Sequence, residues 1–518
     1  MGETTSPSGE SGRKAWRVVA LFVVPYVLLG LAWLGSNPVA AAPDEDAHLV
    51  KALGIARFDI GEPLGTRVDG PTPGAVRNAS ITRVVSIPAA LDPSGYTCFQ
   101  FEAQVTADCQ PAHPAPPTTP APSGDVRVAT TVGAYPPFAY LPMGLAARAA
   151  STPSQAFTQG RLVVLAETTA LLWLACHHLV RWLGRRALLG VAVALTPVAV
   201  FCTAILNTSG LEIFGALGVA AAVAVATRRP ESLTARGTQA LVLGSGSALV
   251  LSRQLGLVTM AALVLLLLAV GGWPVVWAAL RRGSWLLVTA VTLLAVQVVA
   301  VVGWELLYDH PVLLGPWVSR QSLVDFVDQL PQLVHEGVGW FGWLDTRMPT
   351  WFTSLWAGIV AGLVGAALVL GSRRDRVILA GLVLAGLVVA YVTYSRVFHP
   401  VGAGLQGRHM LPFFVIVPVL AGIVVSERLT RRTLTLLPVL AVVLPALQLT
   451  GLYLNGRRYA VGMTGGPLWF PPAARWSPPL GWVPWLVLGL VACLAMGVGW
   501  LWIARSCPAA ERPRTPAA

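Results

Sequence analysis

The chain has little charge: Asp, Glu, Lys and Arg make up only 12% of its 518 residues, roughly half the fraction found in soluble proteins. Lysine occurs only as Lys14 and Lys51. The sequence also lacks the alternating polar and apolar residues of an outer-membrane barrel strand and the paired-cysteine spacing of a zinc site. These absences exclude a soluble globular domain, a membrane β-barrel and a zinc-binding module.

Long apolar runs, by contrast, occur along the whole chain. Runs of roughly 17–25 residues are each long enough to cross the hydrocarbon layer as a helix. The sequence therefore predicts an all-α polytopic membrane protein with about twelve transmembrane helices, in a range of ten to thirteen because the fifth and sixth are short. The predicted helices are Ala15–Gly35, Leu162–Trp182, Ala187–Ile205, Ser209–Thr227, Thr238–Leu251, Leu255–Gly271, Trp285–Leu307, Thr350–Leu370, Val377–Tyr394, Met410–Ser426, Leu434–Leu452 and Trp482–Ile503.

The distribution of arginine predicts the orientation. Each short gap after an even-numbered helix is basic, which is typical of cytoplasmic loops. Both termini are then cytoplasmic, with residues 1–14 as a disordered tail and residues 504–518 as a second tail, while residues 36–161 form a large extracytoplasmic loop. This topology in the plasma membrane accounts for the net charge of +12 without nucleic-acid binding. Cleavage of residues 1–42 as a signal peptide is an alternative that leaves the downstream topology unchanged.

Three extracytoplasmic segments are long enough to carry a function. The first loop contains Cys98 and Cys109, and an oxidising compartment favours a disulfide over two free thiols. This loop also contains an amphipathic stretch after Pro43 that is expected to lie along the membrane surface. The other two segments are loops of the bundle at residues 162–503, namely 308–349, with an amphipathic helix predicted at Val318–Val334, and 453–481.

A cluster of acids follows the first predicted helix, in the sequence Pro43-Asp44-Glu45-Asp46-Ala47-His48. An acid after proline can cap a helix, and Asp44 fits this structural role. On the helix that follows, Asp44 and His48 share a face, while Glu45 is turned by roughly 100°. One of the two carboxylates, Asp44 or Glu45, is therefore free to act as a general base at the bilayer surface.

Further ionisable residues lie near the outer ends of the predicted helices. Charges at this depth are costly, and they tend to face a polar cavity or to pair with each other. Taken singly, each is more typical of a paired or snorkelling side chain than of a site. Their one-sided distribution predicts a water-filled cavity that opens to the outer face. The residues are Glu167, Glu212, Glu305, Arg253 and Arg396.

The segment Gln406–Pro412 enters the tenth predicted helix from the outer side. Arg408 can hold a phosphate through two parallel hydrogen bonds. Anchoring of the helix to lipid headgroups is the alternative role for this arginine. Gly407 beside it would let the backbone approach a ligand closely. The segment therefore indicates a phosphate-binding site on the same side of the membrane as the acidic cluster.

Five segments together resemble the bacterial integral-membrane family called domain of unknown function 2142: Pro43–His48, Tyr135-Pro136-Pro137, Asn207–Glu212, Phe341–Thr346 and Gln406–Pro412. The resemblance covers nearly the whole chain. That family is similar in layout to the C-type glycosyltransferases (GT-C), which have many membrane helices, a large first outer loop with an acidic pair, and a polyprenyl-phosphate sugar donor. The resemblance implies a GT-C-like fold and sugar transfer on the extracytoplasmic face.

These observations together assign expected roles to individual residues. The catalytic carboxylate that activates the acceptor hydroxyl is Asp44 or Glu45. The supporting residues are His48, Glu212 and Asp345. The donor phosphate is expected to bind Arg408, Arg253, Arg396 and Gln406. Three residues depart from the family pattern and are not expected in the site: Asp46, His409 and Arg347.

The sequence thus predicts a membrane glycosyltransferase that moves a sugar from a polyprenyl-phosphate donor to a glycan, lipid or protein acceptor of the envelope. No cofactor is expected; a divalent metal that bridges the acids and the phosphate is an alternative. A transporter or polymer ligase of lipid-linked glycans is a second reading, disfavoured because the intramembrane charges stop in the outer third. A non-catalytic membrane scaffold is a third, and it predicts that Asp44 and Glu45 tolerate alanine.

Overall fold

Most of the chain is helical, because a backbone in an apolar solvent must satisfy its own hydrogen bonds. The computed structural model describes residues 9–63, 81–111, 124–282, 285–308, 314–428 and 437–505. In chain order the helices are α1 (Gly9–Ser36), α2 (Glu45–Ile55), α3 (Tyr140–Ala147), α4 (Pro153–Leu183), α5 (Leu188–Ala194), α6 (Pro197–Phe201), α7 (Ser209–Arg228), α8 (Arg236–Ser252), α9 (Gln254–Arg282, broken at Gly272), α10 (Trp285–Leu307), α11 (Arg320–Gly339), α12 (Thr350–Leu370), α13 (Arg373–Thr393), α14 (Gly407–Phe414), α15 (Ile416–Ser426), α16 (Leu437–Val461) and α17 (Trp482–Arg505).

Ten helical stretches of the described chain are long and apolar enough to cross a membrane, a number at the lower end of the predicted range. Helix α8, with 17 residues, is shorter than these ten stretches, and α5 and α6 are shorter still. The protein is therefore a multi-pass helical membrane protein. The ten stretches are Lys14–Ser36, Pro153–Leu183, Ser209–Arg228, Gln254–Trp273, Trp285–Leu307, Thr350–Leu370, Arg373–Val401, Gly407–Ser426, Leu437–Val461 and Trp482–Ile503.

The third predicted helix is not continuous. Proline restricts the residue before it to extended backbone and lacks a donor N–H, and Thr196 before Pro197 has ψ 160°. The hydroxyl of Thr196 instead accepts a hydrogen bond from the Ala199 N–H at 3.1 Å and caps α6. After Phe201 the backbone is irregular up to Thr208, and it is buried within the bundle. Irregular backbone at this depth is tolerated only where protein surrounds it.

The second predicted helix begins earlier than expected. Helix α4 starts at Pro153 and not at Leu162. Thr152 caps it by accepting from the Gln155 N–H at 3.3 Å, and proline occupies the first turn, where its missing N–H costs nothing. Consequently Arg161 lies within α4, a full two turns after its start.

The first loop folds into a small subdomain on the bundle. Strands β1 (Glu62–Pro63), β2 (Arg83–Pro88) and β3 (Asp125–Thr130) form an antiparallel sheet in which β2 lies in the centre. The burial of β2 alternates, as expected for a strand with one covered face. The predicted disulfide between Cys98 and Cys109 is confirmed, with 6.1 Å between the Cα atoms.

Several chain segments meet where α1 ends and α4 begins, which we call the first-loop end of the bundle. The loop between α6 and α7, Arg253 between α8 and α9, and the start of α14 all lie here. A short hairpin of β4 (Trp340–Phe341) and β5 (Thr346–Arg347) follows α11 and covers the same end. At the opposite end, Arg228 pairs with Glu427 at 2.6 Å and with Asp375 at 3.5 Å.

Candidate functional site

The acidic cluster and the segment after Gln406 meet at the first-loop end. Nη2 of Arg408 lies 3.3 Å from Oδ2 of Asp44, and its Nη1 donates to the carbonyl of Pro43 at 3.4 Å. Asp44 adopts the left-handed region, with φ 62°, and its side chain does not cap α2. The Asp44 carboxylate is 42% exposed, while the Arg408 side chain is 7% exposed. The structure therefore pairs an accessible carboxylate with a buried guanidinium.

The position of Arg408 is fixed by its neighbours on α14 and α11. Oε1 of Gln406 accepts from Nε of Arg408 at 2.8 Å. The next residue, Gly407, packs so tightly on α11 that an added Cβ would lie 2.5 Å from the Gly337 nitrogen. The Gly407 N–H donates to the buried carboxylate of Glu336 at 2.7 Å. Burial raises the pKa of Glu336 above its usual value.

Glu45 has a different environment from Asp44. It is fully buried, and both of its oxygens lie 2.7 Å from the guanidinium of Arg161 on α4. It also accepts from the backbone N–H groups of Leu206 at 2.8 Å and Ala42 at 3.3 Å. Its acceptor positions are thus occupied, and the carboxylate ties α2 to α4 and to the irregular loop before α7. Of the two carboxylates that the sequence left as alternatives, only Asp44 is open to a ligand.

Arg253 supplies a second buried guanidinium to the site. Its Nε donates to Oγ1 of Thr208 at 3.0 Å, and its guanidinium lies 4.9 Å from the centre of the Tyr135 ring. Only 5% of Arg253 is exposed, and no carboxylate of the described residues forms an ion pair with it. Glu212, which lies on α7, interacts electrostatically with Arg253. Arg253 therefore carries a positive charge that a bound anion can neutralise.

His48 lies on α2 and packs against Tyr140 of α3. Its Nδ1 is 2.8 Å from the hydroxyl of Tyr140, and the two rings are stacked. Burial, followed by the charges of Arg253 and Arg408, holds the pKa of His48 well below its usual value. The imidazole is therefore neutral at physiological pH. It packs α2 against α3, where Gly144 is so close that an added Cβ would lie 1.9 Å from the Ala52 carbonyl.

Two residues predicted for the site contact other parts of the protein. Asp345 pairs with Arg458, which is fully buried at the end of α16, at 2.5 Å. Arg396 donates to the carbonyl of Gly315 and lies 4.5 Å from the ring centre of Trp317. Neither residue makes a contact with Asp44 or Arg408 in the part of the chain that the structure describes. Asp345 stabilises the position of the β4–β5 hairpin, and Arg396 stabilises the segment before α11.

Sequence reasoning missed several residues that shape the site. Arg161 escaped notice because the predicted helix began one residue after it. Glu336 and Tyr140 carry no local signal, since their importance depends on partners more than 70 positions away. Lys51 is buried below the site, where its ammonium donates to three carbonyls, those of Val132, Gly133 and Tyr135.

A small cleft, with a cavity volume of only about 10 Å³, lies beside Arg408. Its lining includes Pro43, Phe201, Glu336, Trp340 and Arg408. Among the described residues, no group of three or more His, Cys, Asp or Glu side chains is arranged to hold a metal ion. The arrangement as a whole offers an accessible carboxylate and two buried cations.

Comparison with known proteins places the chain in a family. The structure of ArnT from Cupriavidus metallidurans bound to undecaprenyl phosphate aligns with a TM-score of 0.45 and 16% identity, over 94% of this chain and 76% of that chain. The apo structure of the same protein aligns with a TM-score of 0.35 and 14% identity, over 88% and 74%. These values describe a distant likeness. No curated protein sequence matches significantly. The sequence model described as "Predicted membrane protein (DUF2142)" matches residues 27–417, well over half of the chain, and the protein therefore belongs to the DUF2142 family.

Proposed function

We propose that this protein is a glycosyltransferase that moves a sugar from a polyprenyl-phosphate donor to an acceptor hydroxyl of the envelope. The observation that carries the proposal is the pair formed by Asp44 and Arg408, in which an accessible carboxylate lies 3.3 Å from a buried guanidinium. Arg253 adds a second cation with no carboxylate bound to it in the described chain. This combination suits a reaction in which a hydroxyl loses a proton while a phosphate leaves.

In the proposed reaction the donor phosphate binds to Arg408 and Arg253. The acceptor oxygen attacks the anomeric carbon and forms the new glycosidic bond, while the bond from that carbon to the phosphate oxygen breaks. Asp44 accepts the proton of the acceptor hydroxyl. The polyprenyl phosphate departs with the bonding electron pair, and the two guanidinium groups stabilise its negative charge. Because a phosphate is a good leaving group, the site needs no general acid.

The burial of the two arginines is an advantage for this chemistry. Hydrogen bonds from a charged donor to phosphate strengthen where water is excluded. Arg408 is held from two sides, by Gln406 and by the Pro43 carbonyl, so that little reorganisation is required when the phosphate binds. Gln406 thus acts as a positioning residue for Arg408, and it need not touch the donor.

We place the site on the extracytoplasmic side of the plasma membrane, with both termini in the cytoplasm. The opposite end of the bundle carries the arginine-rich turns, among them Arg228 and Arg428, which share Asp375 as a partner. Basic turns favour the cytoplasmic side. A lipid-linked sugar would then reach Asp44 from the outer leaflet, next to the first loop.

The test is a profile of lipid-linked sugars in cells that express single variants. Asp44→Asn and Arg408→Gln should accumulate the unused donor, while the amount of protein in the membrane stays normal. Arg396→Gln serves as the matched control, because it also removes an arginine at this end of the bundle but one that contacts Gly315 and Trp317. Unchanged lipids and envelope glycans in both site variants would overturn the proposal.

A further inference from the structure

The turn of residues 132–135, between β3 and α3, is held in place through its backbone carbonyls. Lys51 of α2 donates to three of them, those of Val132 at 3.0 Å, Gly133 at 2.8 Å and Tyr135. The fourth, that of Ala134, accepts from the indole N–H of Trp304 on α10 at 3.0 Å and from the amide of Gln254 on α9 at 3.3 Å. Side chains of three different helices therefore fix this turn.

Lys51 provides the charged group of this arrangement. Only 4% of the residue is exposed, and a buried charge is costly unless hydrogen bonds compensate it. Burial, followed by the charge of Arg83, lowers the pKa of Lys51. Only the protonated amine, however, has three N–H donors, one for each of the three carbonyls. The hydrogen-bond geometry therefore assigns the ammonium form to Lys51, and the turn depends on that ammonium.

Tyr135, the last residue of the turn, brings its ring to Arg253. The ring centre lies 4.9 Å from the guanidinium, a distance typical of a cation–π contact. Thr208 accepts from Nε of the same guanidinium at 3.0 Å, and no carboxylate of the described residues forms an ion pair with it. The Tyr135 ring and the Thr208 hydroxyl together orient this guanidinium.

The position of the Tyr135 ring depends in turn on its backbone. Pro136 and Pro137 follow it, and a proline both fixes its own φ and restricts the residue before it. The backbone of Tyr135 therefore has few alternatives once Lys51 holds its carbonyl. A short and constrained segment thus connects the ammonium of Lys51 with Arg253.

We infer that Lys51 is a positioning residue for the phosphate site, which acts through the turn of residues 132–135 and the Tyr135 ring to hold Arg253 in its binding orientation. The inference rests on the proposed binding of the donor phosphate to Arg253. A guanidinium that is oriented before the phosphate arrives loses less freedom on binding, which strengthens the complex. Lys51 supplies this orientation without touching the donor, and the sequence block Tyr135-Pro136-Pro137 thereby gains a role.

The first experiment follows Arg253 without any lipid. Full-length wild type and Lys51→Met in nanodiscs are treated with phenylglyoxal, which modifies arginine, and each site is quantified by mass spectrometry. Modification of Arg253 should become about tenfold faster in Lys51→Met, because loss of the hydrogen bonds from a charged donor populates locally open states. Arg161 is the internal control, since it is bound to α2 through Glu45 and not through the turn. An equal rise at Arg161, or an unchanged rate at Arg253, would overturn the inference.

A milder pair of variants gives the same test if Lys51→Met does not fold. Trp304→Phe removes the indole N–H that donates to Ala134 and should accelerate modification of Arg253 by about threefold, the effect of one lost hydrogen bond. Trp356→Phe is the matched control, because its indole N–H also donates to a backbone carbonyl at 3.0 Å, that of Val193. It should leave the rate at Arg253 unchanged, and equal rates in the two variants would contradict the role of the turn.

The second experiment asks whether Lys51 acts through Arg253. The Kd of decaprenyl phosphate is measured for Lys51→Met, Arg253→Gln and the double variant. Lys51→Met should weaken binding by about tenfold in the wild-type background and not at all in the Arg253→Gln background, because residues that act through one another are not additive. Additive losses would overturn the inference. Equal binding by wild type and Arg253→Gln would contradict the proposed function, while the phenylglyoxal rates still decide the role of Lys51.

Discussion

Asp44 and Arg408 lie 364 positions apart in the chain, yet Oδ2 of Asp44 is 3.3 Å from Nη2 of Arg408. In this position Asp44 has a left-handed backbone, φ 62°, which costs a non-glycine residue about 1 kcal/mol or more. Strain of this kind persists where surrounding contacts impose it. The buried neighbour Glu45 supplies such contacts by tying the start of α2 to Arg161 and Leu206.

Replacement of Asp44 by asparagine should stop transfer without unfolding the protein. Asparagine tolerates the left-handed region and keeps the size of the side chain, but it cannot accept a proton at neutral pH. We expect the transfer rate to fall by about a hundredfold to ten-thousandfold, the usual contribution of a general base. Transfer by purified Asp44→Asn in proteoliposomes measures the loss. A rate within a factor of about two of wild type would exclude Asp44 as the base.

Replacement of Glu45 by glutamine, in contrast, should destabilise the folded protein. The change leaves the Arg161 guanidinium buried without a charged partner, which costs about 3–5 kcal/mol. Glu62→Gln is the matched control, since Glu62 pairs with Arg127 at the surface and exposed pairs contribute about 1 kcal/mol or less. Thermal unfolding in detergent should show a large shift for Glu45→Gln alone. Equal shifts for the two variants would contradict a structural role for Glu45.

Much of the fold could be predicted because the position of a membrane-spanning helix depends mainly on the local composition of the chain. A helix in lipid needs only a sufficiently long apolar run, and ten of the described helical stretches have the length and composition to span a membrane. The break at Pro197 was missed because the whole run 187–205 is apolar. An average hydropathy does not reveal that proline lacks a backbone N–H donor. The early start of α4 was missed for a related reason: its first two turns are polar, although Thr152 and Pro153 form a recognisable start signal.

The site was predicted only as far as single residues carry their own signal. A costly charge beside an apolar run is visible in the sequence, and this reveals Asp44, Arg253 and Arg408. Which charges pair with each other depends on the packing of distant helices. The sequence could therefore not distinguish Asp44 from Glu45, whose partner is 116 positions away, nor could it place Asp345 with Arg458.

Arg253 and Arg396 provide a comparison between two arginines that the sequence treated alike. Arg253→Gln removes a buried charge that has no ion pair among the described residues, and it should weaken binding of decaprenyl phosphate by about tenfold to a hundredfold, the value of a charge-assisted hydrogen bond. Arg396→Gln should leave the Kd unchanged. Titration of the lipid into purified protein at constant salt measures both values. A larger effect of Arg396→Gln would show that the phosphate binds elsewhere.

The disulfide should stabilise the part of the first loop that contacts Arg458. The guanidinium of Arg458 donates to the carbonyls of Phe99, Glu102 and Val105, all inside the loop that Cys98 and Cys109 close. Replacement of both cysteines by alanine should lower the free energy of unfolding by about 2–3 kcal/mol, as expected for a loop of this length. Before reduction, maleimide should not label either cysteine. Labelling of the untreated protein at these positions would contradict the disulfide.

Asp46 should make stability depend on pH. Burial, reinforced by Asp44 and Glu45, raises its pKa from 3.8 to about 6 in the folded protein. A carboxyl with a raised pKa holds its proton more tightly when folded, so its stabilising contribution is complete below pH 3.8 and is lost as the pH rises through 6. Above that range the folded protein carries a half-buried charge that asparagine lacks.

Asp46→Asn should therefore be more stable than wild type at about pH 8, by roughly 2 kcal/mol, and equal to it at about pH 4. Thermal unfolding of the two proteins across this range gives the difference directly. Asp328→Asn, which changes an exposed acid on α11, is the control and should follow the wild-type curve throughout. A constant difference between Asp46→Asn and wild type at all pH values would mean that packing, and not the charge of Asp46, sets the effect.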